Sequence, residues 1–199
     1  MKLLLTAFDP FGGETINPAQ EILARIGDTV GDTAIIKLVL PTVYGVSGSK
    51  LLEAVAAYQP DAVLCLGQAG GRAALTPERV AINIDDADMP DNAGQQPEDR
   101  PIVPGGPAAY FATLPIKDMV EAMLDAGIPA QVSNTAGTFV CNHVLYRLLH
   151  ALAQGFPHVR GGFLHVPYTP QQAAVHGEGV PCIPLEDMVR GIEAAIGAI

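Results

Sequence analysis

Cationic residues are scarce in this sequence. Eleven Lys and Arg stand against 21 Asp and Glu, a formal charge of −10, which argues against a surface built to hold nucleic-acid phosphates. Charge of either sign is sparse as well. Charged residues make up 16% of the chain and hydrophobic ones 49%, a composition that excludes intrinsic disorder and implies a large buried fraction. No apolar run approaches the roughly 20 residues of a membrane-spanning helix. The opening Met1-Lys2-Leu3-Leu4-Leu5-Thr6 is too short and unflanked for a secretory leader, so no membrane partner is expected. Cysteine is limited to Cys65, Cys141 and Cys182; three cannot all pair, which suits a reducing cytoplasm. Neither H-E-x-x-H nor a zinc-like Cys/His spacing occurs, so no metal site is expected. Repeats and interdomain linkers are missing too, and 199 residues fit one domain with a sizeable core.

What is present is an alternation of apolar strands and amphipathic helices. Lys2–Ala7 reads as a buried strand that runs into Phe8-Asp9-Pro10-Phe11-Gly12-Gly13, a loop at the strand's carboxyl end, where open α/β folds place ligands. Asn17-Pro18 makes a helix start, with Asn as N-cap and Pro at the first helical position, and the helix should reach about Ile26. A strand at Ala34–Leu40 and a helix through Leu51, Leu52, Val55 and Ala56 follow, stopping before Pro60. Asp61–Gly67 is continuously apolar and reads as central in the sheet, with Cys65 in the core. Gly67–Arg72 is a flexible loop without a complete dinucleotide motif. Glu78–Asp85 alternates like a half-buried strand, with Glu78 at its start. The irregular Asp86–Pro107 segment has the length of a functional loop or an interface arm. Helices are expected at Pro115–Ala126 and Pro184–Ile199, and a strand at Gly161–Pro167. The pattern predicts an α/β protein: a single three-layer α/β/α domain with a mostly parallel, doubly wound twisted sheet.

Chemistry concentrates in Ser133-Asn134-Thr135-Ala136-Gly137-Thr138-Phe139-Val140-Cys141-Asn142. Ile128–Val132 reads as a short strand before it. After it, Val144, Leu145, Leu148, Leu149 and Leu152 fall at helical spacing. Cys141 therefore sits in the first turn of a helix, where free backbone N–H groups and the helix dipole favour thiolate. The same N–H groups could hold the oxyanion of a tetrahedral intermediate. A cysteine nucleophile also needs an imidazole and a group to orient it. His165, at a strand's carboxyl end, and Glu78 are candidates, although spacing alone does not bring them together. His143 is expected at the surface or behind the site, and His176 facing solvent. A buried structural role for Cys141 is the competing reading.

The run Ile128 to Asn142, with Ser133, Ala136-Gly137, Phe139 and Cys141-Asn142, resembles the cysteine signature of the pyroglutamyl peptidase I family. Gly67, Gly70 and Leu75-Thr76-Pro77-Glu78-Arg79-Val80-Ala81-Ile82-Asn83 resemble its glutamate signature. Thr6–Gly13 with Asn17-Pro18, Asn83–Ala87 with Pro90-Asp91-Asn92, and His165-Val166-Pro167-Tyr168 are similar as well, so the resemblance spans the chain in order. It implies a cytoplasmic cysteine exopeptidase that removes N-terminal 5-oxoproline from small peptides, without cofactor or metal, as a homo-oligomer, a tetramer in the family's pattern. The nucleophile would be Cys141, the histidine His165 and the acid Glu78. The substrate pocket carries over to Phe8, Phe11, Phe139 and Val140, and further to Asn17, Thr42, Gln68 and Met89.

One position departs from the family's pattern. Asp88-Met89-Pro90-Asp91-Asn92 places an acid where the family commonly has an oxyanion-stabilising Arg. Arg72 and the backbone N–H groups around Cys141 are the candidate replacements. The alternatives are a binding or scaffold homologue with weakened turnover and, on fold analogy alone, a nucleoside-phosphorylase-like enzyme. The latter would need a phosphate loop that the sequence does not display.

Overall fold

The computed structural model describes residues 1–199. In chain order the first elements are β1 (Lys2–Phe8), α1 (Pro18–Arg25), β2 (Thr29–Val30), β3 (Thr33–Leu40), α2 (Val46–Tyr58) and β4 (Ala62–Gln68). There follow β5 (Thr76–Pro77), β6 (Val80–Ile82), β7 (Ala109–Phe111), α3 (Ile116–Asp125) and α4 (Val140–Gly155). The chain closes with β8 (Arg160–Val166), α5 (Pro170–His176) and α6 (Leu185–Gly197).

The main sheet has the order β2-β3-β1-β4-β8-β5. Its four long strands run parallel, and the two-residue strands at its edges run antiparallel. Parallel strands need crossover helices, and these cover both faces, which is why β1 and β4 are apolar almost throughout. The two-residue period sorts their side chains between two cores. Leu3, Leu5, Ala7, Leu64, Leu66, Leu164 and Val166 join the core formed with α1, α3 and α6. Leu4, Phe8, Val63, Cys65 and Phe163 join the core on the α4 side, where α2 packs on α4. The chain leaves β1 for β3 on one side and returns past it to β4 on the other. That reversal opens a crevice at the strands' carboxyl ends.

The expected helix at Asn17-Pro18 is present with Asn17 as its cap: Ala19 N donates to Asn17 Oδ1 at 3.0 Å. Two expected strands are not continuous. Residues 78–85 share their hydrogen bonds among three partners instead of one. Glu78 N donates to Phe163 O, Arg79 N to Ser133 O, and Val80–Ile82 then pair with β7 in a separate two-stranded sheet. Pro77 closes β5 and has no N–H of its own to donate, and Glu78 N makes the last hydrogen bond to the main sheet. Ile128–Val132 is no strand either; Pro129 interrupts it, and it meets the chain before Glu78 at one isolated bridge, Leu75 with Ala130, followed by a second just beyond it, Glu78 with Ser133. The β2 edge and α5 carry too few residues for a periodic signal.

Gly191 in α6 lets two elements approach closely. A Cβ there would stand 2.8 Å from Leu75 Cδ2 and 3.0 Å from Ile128 Cγ2. Helix propensity favours Ala over Gly by about 1 kcal/mol, but Leu75 and Ile128 are both sealed in the core and overpacking costs about 1–3 kcal/mol. Packing should win, so Gly191→Ala is expected to lower the melting temperature by about 2–6 °C in a thermal denaturation experiment. A rise would show that α6 can move outward freely.

Candidate active site

The crevice holds a cavity of about 550 Å³. Phe11 reaches it from the loop after β1, Gln68 from the last position of β4, His165 from the second-to-last position of β8, and Cys141 from α4. The chain approaches Cys141 through Gly137, whose φ of +73° is a left-handed conformation that glycine adopts without penalty. Phe139 then caps α4, with extended backbone and no side-chain hydrogen bond. The N–H groups of the helix's first turn are therefore not taken up by a capping side chain, as an oxyanion hole requires.

Gly67 explains how the sulfur comes so near the sheet. It lies opposite His165 in the β4–β8 register, and a Cβ on it would stand 3.0 Å from Cys141 Sγ and 2.7 Å from Phe163 Cζ. Only a residue without a side chain leaves room there for both. Phe163 in turn packs against the imidazole, with ring centroids 4.7 Å apart.

His165 is held from behind. Its Nδ1 pairs with Glu78 Oε1 at 2.7 Å, and Glu78 is wholly buried. A carboxylate only accepts, so Nδ1 carries the proton, and Nε2 is left free of protein partners beside the cavity. Arg72 binds the same Glu78 oxygen at 2.7 Å and also donates to Thr135 O and to Thr76 Oγ1. Glu78 Oε2 has no hydrogen-bond partner. Burial alone would raise the Glu78 carboxyl; the His165 hydrogen bond and charge, with Arg72, more than offset it and hold it below its ordinary value. Burial pushes His165 down despite Glu78.

The thiol behaves differently from the expectation based on its helix position. Burial first, then the Glu78 charge, pushes Cys141 up to about 12; Arg72 and the residue's own backbone N–H act the other way and lose. A helix N-terminus contributes about half a charge at the surface, too little to offset removal of the sulfur from water. At neutral pH the resting pair is thus a neutral thiol beside a neutral imidazole.

The other site residues divide. Phe11, Gln68, Met89 and Phe139 line the cavity with Cys141, His165 and Arg72. Phe8, Asn17, Thr42 and Val140 do not. Phe8 points into the core and packs on Phe163, with ring centroids 6.2 Å apart. Val140 is fully buried, Asn17 caps α1 and donates to Asp9 O, and Thr42 also binds Asp9 O. These four support the walls. Arg72 is inside the cavity but its donors are committed to Glu78, Thr76 and Thr135, which makes it a brace for the acid. Asp88 lines the cavity, exposed and without a hydrogen-bond partner.

Several residues went unnoticed in the sequence. Glu14, Asp86, Tyr168 and His176 also line the cavity, so its rim is more acidic than the neutral pocket expected. His176 is exposed, as expected, and there it stacks on Tyr168 at 4.4 Å and binds Glu14. His143 is buried, with Nδ1 3.0 Å from Asp85 and Nε2 accepting from Gly45 N at 3.2 Å. No spacing signal links partners 58 to 162 residues apart.

A buried acid–imidazole pair beside a helix-start cysteine, at the ligand-binding edge of a doubly wound sheet, defines the class as a hydrolase of the cysteine-peptidase type. The family model described as pyroglutamyl peptidase matches residues 1–199. The pyrrolidone-carboxylate peptidase of Levilactobacillus brevis is 52% identical over all of this chain and 97% of its own length, and that of Streptococcus suis 55% over all of this chain and 92% of its own. The crystal structure of Bacillus amyloliquefaciens pyroglutamyl peptidase I superposes with a TM-score of 0.94 at 48% identity, covering 98% of this chain and 94% of that one. A mutant pyrrolidone carboxyl peptidase of Pyrococcus furiosus gives 0.94 at 41%, covering 100% and 97%. The chain belongs to the pyroglutamyl peptidase family.

The neutral resting pair has a measurable consequence. With the thiol near 12, the thiolate fraction grows steadily with pH. Iodoacetamide alkylation of Cys141, followed by mass spectrometry, should therefore accelerate through pH 9 without a plateau near neutrality. A plateau below pH 7 would show a stable thiolate–imidazolium pair instead.

Proposed function

We propose that this protein is a cysteine exopeptidase that removes N-terminal pyroglutamate (5-oxoproline) from peptides through a Cys141–His165–Glu78 triad and an acyl-enzyme. The observation that carries the reading is the Glu78–His165 pair at 2.7 Å, which leaves Nε2 open on the cavity that Cys141 also lines. Family membership supports the substrate, because the matched relatives are named for pyroglutamyl or pyrrolidone-carboxylate cleavage.

The steps follow from the geometry. Cys141 Sγ attacks the pyroglutamyl carbonyl carbon as its proton passes to His165 Nε2, and the N–H groups at the start of α4 receive the oxyanion. Imidazolium forms against the Glu78 carboxylate, which stabilises it. His165 then protonates the departing amine, the C–N bond breaks, and the shortened peptide leaves a thioester on Cys141. Water loses its proton to Nε2, attacks the thioester, and releases pyroglutamate with the thiol restored. The first residue of such a substrate is a neutral lactam, and Phe11, Phe139 and Met89 offer it an apolar slot. An α-ammonium entering that slot would lose its water among apolar side chains, while the cavity's carboxylates, Glu14, Asp86 and Asp88, stand at its rim. Free thiols at all three cysteines accord with a reducing, cytoplasmic setting, and the exposed Phe111 accords with a homo-oligomer.

A fluorogenic pyroglutamyl amide tests the reading. Cys141→Ala should remove turnover by about 10⁴-fold or more, His165→Ala should come close to it, and Glu78→Gln should cost less. Turnover retained in Cys141→Ala would end the proposal.

The pH profile follows from His165. The base must be neutral to accept the thiol proton, and its folded value lies below the ordinary histidine value of about 6.5. The acid limb of kcat/KM should accordingly fall below pH 6.5, with full activity above it. An acid limb above pH 7 would point to another base.

Asp88 and Arg72 can also be separated. Asp88 is exposed, so water and salt screen its charge from the oxyanion; Asp88→Ala should change kcat by less than about threefold. Arg72→Ala should lower kcat by about 10–100-fold, because Glu78 loses its cationic brace and a buried charge is left with His165 alone. A large gain in kcat from Asp88→Arg, with Arg72→Ala silent, would reverse these assignments.

A further inference from the structure

Beside the catalytic pair, a second chain of hydrogen bonds enters the cavity from α5. Gln172 is the third residue of that helix and completes its capping box with Thr169. Thr169 N donates to Gln172 Oε1 at 3.2 Å. A backbone N–H can only donate, so the oxygen of this carboxamide must face Thr169 and its nitrogen must face the other way. On that side Nε2 donates to Gln68 Oε1 at 2.9 Å, Glu14 Oε2 at 3.2 Å and Ile16 O at 3.4 Å. A carbonyl and a carboxylate accept, so the orientation is determined twice over.

The same logic passes to Gln68. Facing an N–H₂ group, it presents its oxygen, and its own Nε2 has no partner in the protein and is not sealed from solvent. Gln68 is buried except for 8% of its surface, and that residue lines the cavity.

We propose that Gln172 is a positioning residue that sets the polarity of the recognition pocket, fixing Gln68 as an N–H donor towards a neutral carbonyl acceptor such as a lactam oxygen. The proposal rests on the pyroglutamyl reading for its substrate. A carboxamide left unconstrained would offer either end; this one is locked by a backbone amide at a helix cap. The device selects for ligands that carry an acceptor and against those that carry only donors, such as a free ring ammonium.

Gln172→Glu tests it. The carboxylate still accepts from Thr169 N but now shows an oxygen to Gln68, which must turn its N–H₂ inward and its carbonyl to the cavity. KM for the pyroglutamyl amide and the inhibition constant of 2-pyrrolidone should each rise about 10–100-fold. The kcat and the iodoacetamide rate at Cys141 should change less than about threefold, a split that general loosening of the site would not produce. Should Gln172→Glu fail to fold through repulsion with Glu14, Gln172→Leu frees Gln68 without adding charge and should weaken 2-pyrrolidone by about 3–10-fold. Unchanged lactam binding in whichever variant folds overturns the proposal. Wild-type protein that hydrolyses no pyroglutamyl amide would fail the functional reading instead, while 2-pyrrolidone binding would still report on Gln172.

Discussion

A single buried carboxylate organises the site. Glu78 has no exposed surface, and one of its oxygens receives both His165 Nδ1 and Arg72 Nη1. An isolated charge in such a place would be costly enough to protonate. Here the imidazole and the guanidinium keep it ionised, and in return it fixes the imidazole's tautomer and direction. Its backbone is equally committed, with the Glu78 N–H on Phe163 O in the main sheet and a bridge to Ser133 in the segment leading to the cysteine. The residue that orients His165 therefore ties together the strand carrying that imidazole and the turn carrying Cys141.

Burial also sets the resting state. It opposes charge on both Cys141 and His165. The helix N-terminus keeps its first-turn N–H groups free of any capping side chain. It does not create a standing thiolate. Around this centre the cavity is asymmetric: apolar rings from Phe11 and Phe139, a locked carboxamide from Gln68, and an acidic rim from Glu14, Asp86 and Asp88. Phe139 is tied into this packing on two sides, against Phe11 at 5.9 Å and edge-on to Tyr44 at 5.6 Å. Tyr44 also meets the buried His143 edge-on at 5.6 Å, so the turn before Cys141 leans on a second imidazole–carboxylate pair, His143 with Asp85.

Much of the scaffold was legible from local pattern. The apolar runs of β1, β4 and β8, the Asn17-Pro18 start of α1 and the helical period after Cys141 each depend on residues within a few positions of one another. Phe8 and Val140 show the limit of a motif. They belong to the same runs as cavity residues, but strand alternation and helix rotation turn their side chains into the core. The expected strand at 78–85 fails for a related reason, since alternation was present but Phe163, Ser133 and β7 divided its hydrogen bonds.

The sequence alone determined where the long strands and helices would form, at which end of the sheet the cavity would open, and that Cys141 would open a helix, because these follow from periodicity, capping and the composition of short segments. The tertiary structure alone decided that His165 and Arg72 share one Glu78 oxygen, that burial opposes charge on the thiol, and that Gln172 Nε2 meets Gln68 Oε1. Those outcomes depend on burial and on hydrogen bonds between groups as far as 158 residues apart, and desolvation and bond direction exist only once the chain has closed around them.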